Sequence, residues 1–318
     1  MTAYVGRRIA QAVFVVWAAF TVTFFALRLL PGDPVALMLS NRSTGGAPTP
    51  QEIATIRADL GFDRPAVVQY FSALGDLLHG DLGRSIQSGR TVSSTIAVSL
   101  PKTMDLGMVA LVLSLVGGLA LAVAANLGPS ALRRQVLRSV PSMIISLPSF
   151  WVGLLLIQLF ALHWRIFPSL NATGVSGVIL PAVTLALPGI ALIAQVLGKS
   201  LHSTLQEPYV DTIRAAGAGP LRVLVGHGLR NAAIPAVTVI GLLVGNLIGG
   251  AVVVETVFSR PGMGRDIGFA VTNQDLPVVQ GVVIVASLAF VTVNLAVDLL
   301  YPVLDPRMRS TSRSVAAR

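Results

Sequence analysis

The sequence predicts an all-α integral membrane protein with six transmembrane helices and both termini in the cytoplasm. Three observations carry this. Of 318 residues, 53% are hydrophobic and only 12% charged, and mean hydropathy is +0.76; a soluble domain carries about 25% charged residues. Six apolar stretches each approach the ~20 residues that cross a bilayer. The basic residues are dense in alternate connections, as the positive-inside rule requires of a chain that crosses repeatedly.

The first stretch, 9–30, follows Arg7 and Arg8. It is longer than the apolar core of about 7–15 residues in a secretory signal, so it is read as an uncleaved helix. The remaining spans are placed at 103–126, 140–162, 179–198, 235–258 and 280–301. Pro181 and Pro188 interrupt the fourth, and neighbouring helices must satisfy the carbonyls they free. Four connections carry the positive charge: Arg7 and Arg8; Arg133, Arg134 and Arg138; Lys199, Arg214, Arg222 and Arg230; and Arg307, Arg309, Arg313 and Arg318. All four are assigned to the cytoplasm.

Between the first two spans, residues 31–97 mix Arg42, Arg57, Arg64, Arg84 and Arg90 with Asp33, Glu52, Asp59, Asp63, Asp76 and Asp81. This is read as an extracytoplasmic helical segment. In "TPQEIATIRADLGF", Thr49 is placed to cap a helix, Pro50 to open it and Gly61 to end it. "RPAVVQYFSALGDLLHG" reads as a second, amphipathic helix ended by Gly80. The domain plan is therefore 1–30, an N-terminal transmembrane helix; 31–97; 98–302, a five-helix core with a cytoplasmic loop at 199–234; and 303–318, a cytoplasmic tail.

Composition and motifs exclude much chemistry. The net charge of +9 sits between spans and sets orientation, so no nucleic-acid partner is expected. The absence of cysteine rules out disulfides, thiolate metal sites and cysteine nucleophiles. "GKS" at 198–200 lacks the earlier glycine of a phosphate loop, because Ile193 stands there, and no strand precedes it. "PGMGRDIG" misses the Gly-x-Gly-Asp pattern of intramembrane aspartyl proteases because Arg265 holds the acidic position. His-Glu-x-x-His and Gly-x-Ser-x-Gly are absent. No catalytic residue, metal or cofactor is assigned to this chain. Glu255, Asp105 and Asp298 lie near span ends, and Asn246 lies inside the fifth span; ionisable groups at membrane depth are functional suspects.

The stretch "EPYVDTIRAAGAGPLRVLVGHGLRNAAIP" at 207–235 is too polar to span and too apolar for a solvated loop. Glu207 and Pro208 open a short helix, Gly217 ends it, and Gly219 and Pro220 restart the chain. Leu221, Leu224, Val225 and Leu229 then form one apolar stripe at helical spacing, before Pro235 opens the fifth span. Two short helices along the cytoplasmic membrane surface fit this pattern, either resting on lipid headgroups or docking another protein. Ala215, Ala216 and Gly217 would waste lipid contact and suit close approach by another backbone.

"RAAGAGPLRVLVGHGLRNAAIPAVTVIG" resembles the cytoplasmic EAA-type loop of binding-protein-dependent ABC importers, and in particular the B-type permease of dipeptide and oligopeptide importers. "LPGDPV", "LGFDRPAVVQY", "GDLGRS", "SLPKTMDLG", "VETVFSRPGMGR", "DLPVVQG" and "YPVLDPRMR" are similar to that family in the same order. Arg214-Ala215-Ala216 stands where the namesake loop has Glu-Ala-Ala, and Gly217 is retained.

The resemblance implies a type I ABC importer permease fold with an extracytoplasmic insertion between helices 1 and 2. It implies a second homologous permease subunit, two ATPase subunits that carry ATP and magnesium, and an extracytoplasmic peptide-binding protein, all at a lipid bilayer. Ile213, Arg214, Ala215, Ala216, Gly217, Leu221 and Arg222 would couple to an ATPase. Asn246, Pro188 and Glu255 are the candidates for the pathway, and Asp63, Arg64, Arg260 and Arg265 for binding-protein docking. The cargo expected is a dipeptide or oligopeptide. A nickel chelate or glutathione is the alternative cargo, and a stand-alone secondary transporter the remote alternative.

Overall fold

The structure is a computed structural model that describes residues 2–29, 31–42, 48–127, 130–167 and 174–304. The expected basic tail, with Arg307, Arg309, Arg313 and Arg318, lies outside them, as does the side chain of Asp298. Among the described residues the chain is helical without a β-strand; one isolated bridge pairs Arg84 with Thr91. The helices are α1 (Thr2–Arg28), α2 (Pro34–Arg42), α3 (Pro50–Asp59), α4 (Ala66–Leu78), α5 (Val92–Leu127), α6 (Ala131–Ser146), α7 (Ser149–Leu156), α8 (Ser176–Thr204), α9 (Pro208–Ala215), α10 (Pro220–Val223), α11 (Leu229–Val257), α12 (Met263–Thr272) and α13 (Leu276–Leu304). Two π-helical stretches, Ile157–His163 and Leu224–Gly228, follow α7 and α10.

Local signals set the small helices as expected. Thr49 caps α3 with its hydroxyl on the Glu52 N–H, and the Glu52 carboxylate returns to the Thr49 N–H at 2.8 Å, a capping box. The Thr49 N–H, together with the Thr49 hydroxyl that donates to the same carboxylate at 2.9 Å, holds the Glu52 carboxyl below its usual range. Gly61 and Gly80 follow α3 and α4 with positive φ.

The spans depart from hydropathy in three places. Among the described residues, four helices are long and apolar enough to cross a membrane alone: Gly6–Arg28, Val92–Leu127, Ser176–Thr204 and Leu276–Val297. The second begins eleven residues before its expected start, at Val92, where Thr91 Oγ1 accepts from Ser94 N–H at 3.4 Å. Pro101 lies inside it. At 1.5 Å per residue it is roughly 54 Å long, well beyond a ~30 Å hydrocarbon core.

The third span, expected as one rod over 140–162, is two helices bent by 98°. Pro148 pushes Leu147 into an extended conformation (φ −93, ψ 126) and ends α6 there. The fifth does not open at Pro235. That proline is inside α11, which continues through the π turn from α10 without leaving helical geometry.

The chain divides into two compact units. In the first, residues 1–103 with 261–291, Phe20 and Phe24 of α1, Tyr70 of α4 and Ile284 of α13 form one buried cluster. Thr21 and Tyr70 share a hydroxyl hydrogen bond at 2.8 Å beneath it. A second cluster joins Val92 and Ile96 of α5 to Met263, Ala270, Val278, Val279 and Val282.

In the second unit, 104–260 with 292–318, α8 is the central element and packs on α11, α6 and α7. Lipid offers apolar side chains as good a solvent as a protein core, so contact between spans depends on close packing and polar groups. The sequence of α8 supplies both. A Cβ at Gly189 would lie 2.4 Å from Ser114 Oγ of α5 and 2.5 Å from Leu243 Cδ1 of α11. Ser114 is fully buried and donates to Ala110 O at 2.7 Å or to Ala186 O of α8 at 3.2 Å.

Candidate functional site

The loop between α8 and α11 is built as a rigid, exposed turn. Glu207 is extended (φ −68, ψ 140) and Pro208 opens α9. The helix closes with Gly217 N–H on Arg214 O at 2.9 Å and Ala218 N–H on Ile213 O at 3.3 Å, the paired bonds of a Schellman motif. The motif needs a left-handed residue, and Gly217 supplies it at φ +85. Val210 is fully buried beneath α9, and Val223 and Leu224 are buried beneath the restarted helix. Asn231 Nδ2 donates to the Tyr209 hydroxyl at 3.0 Å and ties α9 to the start of α11.

What this framework presents outward is Ala215, Ala216, Gly217 and Arg222, all exposed, with Leu221 at 60% exposure. Ile213 is half-buried. Arg214 pairs with Asp211 at 3.1 Å within α9, and both are exposed, so the pair is screened and leaves Arg214 available to a stronger acidic partner. The expected stripe of Leu221, Leu224, Val225 and Leu229 does not form. Leu224 is buried, but Leu221 and Val225 are exposed and Val223 takes the inner face. The π turn at Leu224–Gly228 inserts an extra residue per turn and shifts the register on which that stripe was drawn.

The pathway candidates separate. Cβ positions at Gly250 and Gly189 would lie 2.7 Å from Leu185 and 2.5 Å from Leu243, so α8 and α11 run antiparallel. This places Pro188 and Asn246 at the same level of the pair, and both are exposed. Glu255 is fully buried, so it lines no open surface of this chain.

Of the docking candidates, Asp63 and Arg64 are exposed together after α3, and Arg265 is exposed on α12. Arg260 is a correction. It is 7% exposed, and its Nη1 donates to Gly177 O at the start of α8 at 3.4 Å, so a partner does not reach it on this chain. Asp266, on α12, is half-buried; desolvation pushes its carboxyl up, against the Ser99 hydrogen bond and the Arg265 and Lys102 charges.

Residue-by-residue reading missed Asp275. It is buried and accepts from Ser85 Oγ, from Ile86 N–H at 3.0 Å and from Gln87 N–H at 3.4 Å. The two stretches it joins, "GDLGRS" and "DLPVVQG", were each visible, but nothing local paired them.

Apolar helices long enough to cross a membrane flank an exposed loop of small residues, the arrangement of an integral membrane component. The chain matches the family "binding-protein-dependent transport system inner membrane component" over residues 114–310. It matches that family's N-terminal region over residues 1–107. A Brucella abortus (strain 2308) protein named for a peptide transport system permease is 37% identical, over 97% of this chain and 99% of that one. The dipeptide transport system permease protein DppB of Escherichia coli (strain K12) is 33% identical over 97% and 99%. A Sinorhizobium fredii (strain NBRC 101917 / NGR234) protein named for a peptide ABC transporter permease is 36% identical over 97% and 100%. The chain belongs to this permease family.

Proposed function

We propose that the chain is the permease subunit of an ATP-driven importer that moves dipeptides or oligopeptides across the cytoplasmic membrane. It would work with a second homologous permease subunit, two ATPase subunits holding ATP and magnesium, and an extracytoplasmic peptide-binding protein. The peptide cargo rests on relatives that match nearly full length and are named for peptide transport. The basic connections favour both termini and the 207–235 loop on the cytoplasmic side.

The observation that carries the coupling role is the exposed Ala215-Ala216-Gly217 turn on a buried anchor of Val210, Val223 and Leu224. Small side chains let the turn sit deep in a groove of an ATPase, and the anchor makes it move with α11 as one body. ATP-driven closure of the ATPases then biases the permease between two states through contacts that differ between them.

The test compares Gly217→Ala with Gly217→Trp in the reconstituted complex. Both carry the same left-handed strain, roughly 1–2 kcal/mol. A Cβ at Gly217 meets nothing within 4 Å of this chain, so the side chain starts into open space where a partner would sit. The Ala variant is expected to keep most transport. The Trp variant is expected to lose transport and peptide-stimulated ATP hydrolysis at equal membrane insertion. Equal transport by both sinks the coupling assignment, and transport without ATPase subunits sinks the importer reading. A cognate binding protein that retains a nickel chelate or glutathione would change the cargo alone.

A further inference from the structure

A half-open groove of about 260 Å³ lies between α1, α4 and the start of α13. Phe20, Phe24 and Ile284 line it, and so do the charged residues Arg28, Asp76 and Asp81. From Arg28 back to Phe20, and from Leu276 forward to Ile284, is eight residues on each helix, about 12 Å at 1.5 Å per residue. Both helices are long and apolar enough to cross a membrane. The groove therefore runs from the end of the spans, at headgroup depth, into the hydrocarbon layer.

Arg28 is held at that end by neutral partners. Its guanidinium stands 3.6 Å from the centroid of the Phe24 ring and donates to Gln69 Oε1 and Phe24 O. Gln69 is fixed in turn by donating to Arg64 O at 2.7 Å and Phe62 O at 3.3 Å. A partly buried cation with only neutral partners calls for an anion. At the edge of a bilayer the abundant anion is a phosphodiester. Asp81, on the lining of the same groove, accepts from Gly83 N–H at 2.8 Å, and a Cβ at Gly83 would lie 3.6 Å from Pro277. That keeps the carboxylate level with the first turn of α13. Asp76 is exposed two turns beyond Gln69 on α4. These carboxylates oppose a net-negative headgroup and favour one that carries an ammonium.

We propose that this groove binds a zwitterionic phospholipid with a primary ammonium, phosphatidylethanolamine. Its phosphate rests on Arg28, its ammonium lies toward Asp76 and Asp81, and the upper part of an acyl chain lies along Phe24, Phe20 and Ile284. The site requires only that α1 and α13 span a membrane. It is independent of the peptide reading and of which side faces the cytoplasm.

The test uses the purified full complex, delipidated in detergent and offered equal phosphatidylethanolamine and phosphatidylglycerol, with bound lipid read by native mass spectrometry. The wild type is expected to retain phosphatidylethanolamine preferentially. Arg28→Gln should lower that retention about tenfold, the scale of one lost charge-assisted contact, and Arg28→Lys should restore much of it. Asp76→Asn with Asp81→Asn, which leaves Arg28 in place, should shift the ratio toward phosphatidylglycerol. Three results overturn the proposal: unchanged retention in Arg28→Gln, phosphatidylglycerol preferred by the wild type, or displacement of bound lipid by a dipeptide, which would make this a peptide site. If Arg28→Gln does not accumulate, the aspartate pair decides, and an unchanged lipid ratio there overturns the proposal as well.

Discussion

The buried carboxylate of Asp275 receives the hydroxyl of Ser85 across 190 residues of sequence. The N–H groups of Ile86 and Gln87 converge on the same carboxylate. One acidic side chain thus closes the segment before α5 onto the turn before α13. Asp275→Ala would remove the buried acceptor that these three donors share. The expected cost is on the order of 3 kcal/mol. Asp275→Asn keeps one acceptor oxygen and should lose less. Thermal unfolding of the purified protein ranks the two variants, and an Ala variant with the wild-type midpoint would show the staple to be dispensable.

Gly189 sits where α5, α8 and α11 meet. Because a Cβ there would overlap Ser114 and Leu243, Gly189→Ala should destabilise by about 1–3 kcal/mol through forced repacking. Gly249→Ala is the matched control, since a Cβ at that position meets nothing within 4 Å and alanine favours the helix. The measurement is the unfolding midpoint in detergent. Equal midpoints for the two variants would contradict the close approach.

Asp266 predicts a pH dependence of definite sign. Burial raises its folded-state pKa above the ordinary aspartate value, so the folded protein binds a proton more readily than the unfolded chain. Stability from this group is present below the unfolded pKa and is lost as pH rises through the folded one. Asp266→Asn removes that slope while keeping an acceptor for Ser99. Midpoints taken from pH 3.5 upward should fall more steeply for the wild type than for the variant across the window starting at about pH 4. Parallel curves would refute the assignment.

What was legible in the sequence was what neighbouring residues decide. Thr49, Pro50 and Glu52 specify the start of α3 among themselves, and Glu207, Pro208 and Gly217 do the same for α9. The outward turn of the candidate site was readable for this reason. Pro148 broke the third span unseen because a hydropathy window averages over the one residue whose backbone ends the helix. Pro235 was taken for a helix start, the position its missing N–H favours. Instead it lies within α11, the helix having already begun at Pro220. The apolar stripe assumed 3.6 residues per turn where the chain makes a π turn. Arg260 reads as a surface charge until Gly177, at the start of α8, is known to lie beside it. Asp275 with Ser85, and Tyr209 with Asn231, are partnerships that only the folded chain reveals.

The uninterrupted helix from Pro220 through the π turn to Val257 has a mechanical meaning. At 1.5 Å per residue it is a strut on the order of 55 Å long, with Leu221 at its foot and Asn246 some two-thirds of the way along. No loop separates the two, so a thrust at the foot is not absorbed as slack. Its hydrogen-bond ladder is weakest at the π turn and at Pro235, and beyond them the remaining length to Val257 is regular helix, a continuous lever from the loop to the far end of the span.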